Sequence, residues 1–246
     1  MWLVLCDTDD VSALWAYQGL KARGLVPLEL VSAETLSYGL HWEHRLSGEQ
    51  ASVEIQLADG RQICGEQING VLNRLLTIPT LHWRNASAID RDYVIQELTA
   101  FYLSWLHALR CPMLNRPTPQ GLSGQWRQES EWVWSAAQAG LPTPVYRQTS
   151  FDQIDPMRGD RRLVQSSEAV KTVIVVDGCP VGAAAPAEVL DGCCRLAERS
   201  GTDLLGIEFV SGSAGDWTFV GATPMPDLRL GGRALLDALA LALEGG

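Results

Sequence analysis

The spacing of apolar and polar positions changes several times along the chain. Residues 2–6, Trp-Leu-Val-Leu-Cys, form a short unbroken apolar run, as expected of a strand buried on both faces. Val11, Leu14, Trp15 and Leu20 then keep helical spacing until Gly24, with Asp7, Thr8 or Asp9 placed to cap the helix. Leu25–Val31 reads as a second strand, so the chain opens β-α-β. Between 37 and 70 the period falls to two, as in Val53, Ile55 and Leu57, around a turn at Asp59-Gly60. That pattern predicts a hairpin beside the sheet.

The longest predicted helix covers 89–109, where Val94, Leu98, Phe101, Trp105 and Leu109 share one face and Pro112 prevents continuation. A short strand, Met113-Leu114, follows. Ser123 is placed to cap a second helix reaching Gly140, with Trp126, Val133 and Ala137 facing inward. Residues 150–165 are polar and read as a loop or linker. Beyond them come a strand at 172–177, a turn at Asp177-Gly178, a returning strand near Val181 and a helix from Pro186 to Gly201. Strands at 204–210 and 217–222 and a terminal helix over 232–243 complete the chain, with Leu235, Leu236, Leu239 and Leu243 inward. The expected organisation is α/β in three parts: 1–117, 118–165 and 166–246.

Composition narrows the classes. At 246 residues and 46% hydrophobic content the chain can bury a sizeable core. A formal net charge of −10 argues against nucleic acid and anionic membranes as partners. No apolar run approaches the roughly 20 residues of a membrane span, and the N-terminus lacks the basic stretch of an export signal. The six cysteines show no CxxC spacing, which favours reduced thiols and a cytoplasmic location. Of 19 basic residues, only Lys21 and Lys171 are lysines.

Three segments, taken in order, resemble the ATP-grasp superfamily of carboxylate–amine ligases, especially its peptide-modifying branch. They are Gly70-Val-Leu-Asn-Arg; then Leu114-Asn-Arg-Pro117 with Ala139-Gly-Leu-Pro-Thr-Pro144; and finally Val173-Ile-Val-Val-Asp-Gly with Leu205-Gly-Ile-Glu-Phe209 and Thr218-Phe-Val-Gly-Ala-Thr-Pro-Met-Pro226. The resemblance implies an N-terminal pre-grasp domain, a much reduced central nucleotide lobe and a C-terminal mixed α/β lobe. Its chemistry activates a carboxylate as an acyl phosphate for attack by an amine. That requires cationic groups and Mg²⁺ on the phosphates.

Measured against that implication, much is missing. Where the family has a first lysine, this chain has Gln125, Trp126 and Arg127, and a guanidinium is not a simple substitute for an ammonium. The stretch from Pro144 to the 172–177 strand is short for a second lysine strand and a glycine-rich loop. Glu208 matches the first metal acid, but the "E-x-N" pair reads Gly221-Ala222-Thr223, leaving Thr223 a weak donor. Each lost charge-assisted contact removes roughly 1.5–3 kcal/mol. The expectation is a non-catalytic homologue with no cofactor, serving as a binding or scaffolding partner of a biosynthetic or peptide-modifying enzyme. The alternative is an ATP-dependent carboxylate–amine ligase with a minimal or subunit-shared nucleotide site. In that case Arg127 contacts phosphate and Glu208 holds magnesium.

Four further residues are candidate substrate ligands. Asn73-Arg74 and Asn115-Arg116 both follow short strands, and open α/β sheets bind ligands at the C-terminal strand edge. Two arginines there suit an acidic or peptide ligand; the bland reading makes them surface charges beside turn-capping asparagines. His41-Trp-Glu-His44 reads as a solvated loop before a metal site. Cys193-Cys194 place one thiol in the core. Gly212-Ser-Ala-Gly215 is read as a loop between strands and not as a nucleophile elbow. Trp132 and Trp134 flank Val133 on one helix, so one of them faces solvent or a protein partner.

Overall fold

The computed structural model describes residues 1–48, 50–78, 85–147, 170–182, 184–211 and 216–245. The expected linker at 150–165 and the loop 212–215 lie outside the described residues, as does His82. The chain divides into two compact units. The first comprises Met1–Trp126 with Asp227–Gly246, and the second Arg127–Pro226. The expected boundary at 165 lies outside the described residues, and the terminal helix lies in the first unit.

In the first unit β1 (Trp2–Cys6), β2 (Leu28–Ser32), β6 (Gly70–Arg74) and β7 (Met113–Leu114) form a parallel sheet in the order β2-β1-β6-β7. The continuous apolar run of β1 matches its burial on both faces. Helix α1 (Val11–Ala22) is capped by Asp10, whose carboxylate accepts from the Ala13 N–H at 2.9 Å. Its buried face is Ser12, Ala13, Ala16 and Leu20, whereas Val11 and Leu14 of the expected stripe are exposed.

The reason lies in the terminal helix α6 (Gly232–Glu244). Small residues of α1 let it approach: a side chain at Gly19 would collide with Leu236. Ser12 is part of the same fit, accepting the Leu228 N–H at 2.6 Å. Gly70 serves similarly on β6, since a Cβ there would lie 2.5 Å from the Leu243 carbonyl oxygen. Leu235, Leu236, Leu239 and Leu243 of α6 are buried as anticipated.

A short helix α2 (Ala33–Ser37), capped by Ser32, was not anticipated. It precedes an antiparallel sheet of β3 (His41–Ser47), β4 (Gln50–Gln56) and β5 (Gln62–Cys64). This is the hairpin region the period-two pattern predicts. Trp42, Val53 and Ile55 pack on α3 (Ala88–Ala108), whose Phe101, Tyr102 and Trp105 surround the Trp42 ring at 5.1–5.7 Å. His41-Trp-Glu-His44 is thus strand and not loop. His44 faces the core, its Nε2 2.9 Å from Ser104 Oγ, and His41 points to the other face, as i and i+3 must on a strand.

The second unit carries an antiparallel sheet in the order β11-β10-β8-β9, formed by β8 (Val170–Val176), β9 (Cys179–Gly182), β10 (Leu204–Ser211) and β11 (Trp217–Thr223). One face is covered by α4 (Glu129–Gln138) and α5 (Ala187–Ser200), with Val173, Val175, Leu205, Ile207, Phe209 and Phe219 in the core. Helix α4 starts later than the sequence indicates, at a capping box between Gln128 and Glu131. Its inner face is Trp132, Val133 and Ala136. Trp126 and Ala137 are exposed, as is Trp134. Gly201 ends α5 in the left-handed conformation.

All six cysteines are free. Burial pushes the Cys6 thiol up to about 12, with Asp10 and Asp7 adding to the shift, and burial likewise lifts Cys193 to about 12. Both therefore stay protonated in the fold while the unfolded chain ionises near 9.0. The unfolded state then binds fewer protons, so stability is expected to fall as pH rises from about 9 towards about 12. Denaturant unfolding at about pH 8 and about pH 11 measures this slope, and Cys6→Ala with Cys193→Ala should reduce it, the remainder coming from groups such as Tyr102 that burial also raises. No described helix is long and apolar enough to cross a membrane.

Candidate functional site

At the C-terminal edge of the parallel sheet, β6 ends in Asn73-Arg74 and β7 runs into Asn115-Arg116, so the two pairs are neighbours as the strand pattern indicates. The side chains of Asn73, Arg74 and Arg116, however, are committed to the fold. The buried Asn73 amide donates to the carbonyls of Asn115 and Leu122 at 2.9 and 2.7 Å. It thereby ties the loop after β7 to β6. Asn115 is buried with φ at 61°, a left-handed turn that asparagine tolerates. Arg116 donates to the Leu109 and Cys111 carbonyls, closing the turn between α3 and β7.

Arg74 is the most constrained. Its Nε donates to Asp10 at 2.7 Å, and the two side chains are 4% and 10% exposed. A guanidinium that deep requires a counter-charge. Asp10 supplies it while also capping α1. Sequence reasoning found the arginine but missed its partner, because nothing local marks Asp10 apart from Asp7 and Asp9. Asp7 sits on the same edge, its carboxyl raised by burial although it accepts from the Leu76 and Thr77 backbones. Two cavities open here. One, of about 480 Å³, is lined by Thr8, Asp9, Val11, Leu14 and Ser32 among others. The other, of about 620 Å³, lies beside Thr77, Thr118 and Gln120.

In the second unit, Glu208 on β10 lies opposite Gly221 on β11, and Thr223 opposite Gly206. Side chains at 208, 221 and 223 therefore share one sheet face, the one turned away from α4 and α5. Only Glu208 offers a carboxylate there. Gly221 has open space where a side chain would stand, and the Thr223 hydroxyl accepts the Met225 N–H at 3.0 Å. Among the described residues no group of three His, Cys, Asp or Glu side chains is disposed to hold a metal ion. Arg127 donates to the Ser200 carbonyl at 3.3 Å and lies 5.7 Å from the Trp132 ring, held within its own unit. Lys171 lies in β8 and not ahead of it, its Nζ 4.7 Å over Trp217; Lys21 sits over Tyr17.

No family model and no curated protein sequence matches the chain. Solved structures do. The macrocyclase MdnC of Microcystis aeruginosa MRC, bound with precursor peptide MdnA, aligns at a TM-score of 0.69 with 12% identity, covering 98% of each chain. The ATP-grasp ligase PsnB, complexed with precursor peptide PsnA2 and AMPPNP, aligns at 0.66 with 17% identity over 99% of this chain and 98% of its own. This chain has the ATP-grasp fold. A Chryseobacterium gregarium RiPP-associated ATP-grasp ligase, in complex with ADP and a leader and core peptide, aligns at 0.67 with 10% identity, covering 98% of this chain and 96% of its own.

At positions 208, 221 and 223 these strands offer magnesium a single carboxylate. The ion takes near-octahedral oxygen ligands and usually one or two carboxylates besides phosphate. Here one carboxylate stands beside a glycine and a hydroxyl already accepting a backbone hydrogen bond.

Proposed function

We propose that this chain is a non-catalytic ATP-grasp homologue that acts in the cytoplasm as a binding or scaffolding partner in peptide modification. The observation that carries this reading is the β10–β11 pair, where Gly221 and Thr223 face Glu208 in place of a carboxylate and an amide. The phosphate side supports it: with two lysines in the whole chain, one over Tyr17 and the other over Trp217, the cationic clamp of acyl-phosphate chemistry has few candidates. The peptide part rests on similarity. Structures of this fold are complexed with precursor peptides. The cavities at the sheet edge of the first unit, lined by apolar side chains such as Leu14, Leu76 and Ile95 beside Thr and Asp groups, offer this chain room for an extended peptide.

Calorimetric titration with Mg·ATP is expected to give no saturable heat. Micromolar binding would overturn the proposal in favour of a working carboxylate–amine ligase, in which Glu208 holds the metal and Arg127 meets phosphate. A converse test adds the missing donors. Gly221→Glu with Thr223→Asn places two oxygen donors on the face of Glu208, at a position with open space. The double variant is expected to acquire a divalent-cation site that the wild-type chain lacks, read by Mn²⁺ titration.

A further inference from the structure

We infer that the cavity between β4 and the C-terminal end of α3 is a docking site for an acidic peptide segment, held by Arg45 and Arg110. The inference rests on the proposed reading of the chain as a partner in peptide modification, and names the chemistry of the peptide. The cavity measures about 830 Å³, and every residue lining it belongs to the first unit. That volume lies in the range of built ligand sites.

The cavity exists because β5 is short. β5 pairs with β4 from Glu54 to Gln56 and stops at Cys64, where the helical turn Gly65–Gln67 leads the chain away. Residues 50–53 of β4 continue past that point, paired with β3 on their other side. Backbone groups alternate sides along a strand. The Gln56 carbonyl accepts on the β3 side, and the Leu57 N–H donates to Arg61 on the β5 side. Odd-numbered residues therefore address the β5 side. Gly65 comes up against Val53 there. Ala51, two residues further along, turns its N–H and C=O to the cavity, and no described residue bonds to them. A residue of an extended chain can take both groups.

The side chains set the sign of the ligand. Arg45 and Arg110 line the cavity, and both are exposed; Glu66 is the one acid on its wall. Ser52 and Asn69 add a hydroxyl and an amide that can donate to a carboxylate, while Ile68 and Leu109 give buried apolar floor. The negative end of α3 is covered, since Arg116 donates to the Leu109 and Cys111 carbonyls. The sheet-edge cavities differ in charge. The one beside α1 is lined by Asp9 and Asp10, and the one beside Thr118 by no charged side chain. A chain of net charge −10 repels an acidic segment over most of its surface, so a local pair of arginines decides where one can settle.

Fluorescence anisotropy on the full chain, with a labelled, end-capped peptide alternating glutamate and threonine, tests this. Saturable binding is expected, weakened about tenfold or more when glutamine replaces the glutamates. Arg45→Glu and Arg110→Glu should each weaken it about fivefold or more, with circular dichroism unchanged. Arg233→Glu alters the net charge equally at an exposed position outside the cavity, and should leave binding within about twofold. No saturable binding, a glutamine peptide that binds as tightly, or equal losses in the cavity variants and Arg233→Glu would each overturn the inference. A peptide that binds but ignores both cavity substitutions removes this site and leaves a peptide-binding chain. Mg·ATP titration of the same sample separates the two readings: saturable nucleotide binding with the acidic peptide still held at Arg45 and Arg110 removes the non-catalytic reading and leaves the site.

Discussion

Arg74→Ala is expected to lower the stability of the first unit by about 3–5 kcal/mol, the cost of leaving a buried charge without its partner. Asp10 and Arg74 are 10% and 4% exposed and meet at 2.7 Å, so removing either leaves the other charge in a largely buried site without its ion-pair partner. Asp10→Ala should cost at least as much, since it also removes the acceptor for the Ala13 N–H and with it the α1 cap, worth about 1 kcal/mol. Equilibrium unfolding in guanidinium, followed by far-ultraviolet circular dichroism, measures both. The size of the effect separates two roles for Arg74. A substrate-binding arginine at a strand edge lies within about 0.5 kcal/mol of neutral for stability when replaced. A change below about 1 kcal/mol would return Arg74 to the ligand contacts; the larger change makes it a brace between β6 and the start of α1.

Trp105→Ala should destabilise the same unit by about 3–5 kcal/mol through the cavity it leaves. Trp105 is fully buried, and its ring stands edge-on to Trp42 at 5.7 Å and to Tyr102 at 5.9 Å. Those contacts join α3 to the β3–β4 hairpin, so the loss should be uneven. Amide exchange is expected to quicken first in β3 and β4, with the parallel strands β1 and β6 protected for longer. Uniform acceleration across the unit would show that the hairpin and the parallel sheet unfold as one.

Most element positions were legible in the sequence, because one-dimensional periodicity reports one-sided burial. The strand at 2–6, the 88–108 helix, the α5 boundaries at Pro186 and Gly201 and the leucines of α6 follow from spacing, proline and glycine alone. Periodicity failed where small residues and not large ones make the contact. In α1 the eye follows Val11 and Leu14, yet the buried face is Ser12, Ala13 and Ala16, selected by the close approach of a helix more than two hundred residues away. In α4 the capping box at Gln128 outcompetes Ser123 as a start, and Trp126 is left outside the helix.

By itself, then, the sequence determined the order of elements, the absence of all but two lysines, and the presence of glycine and threonine at 221 and 223, since each of these is a property of residue identity. Only the tertiary structure decided what the surviving polar residues do. Arg74 finds Asp10 sixty-four positions away, Asn73 finds two carbonyls beyond β7, and Gly221 proves to be the residue opposite Glu208. Partners of that kind are set by strand register and layer packing. A charge or amide is satisfied by whatever the fold brings within about 3 Å, and no local pattern names it in advance.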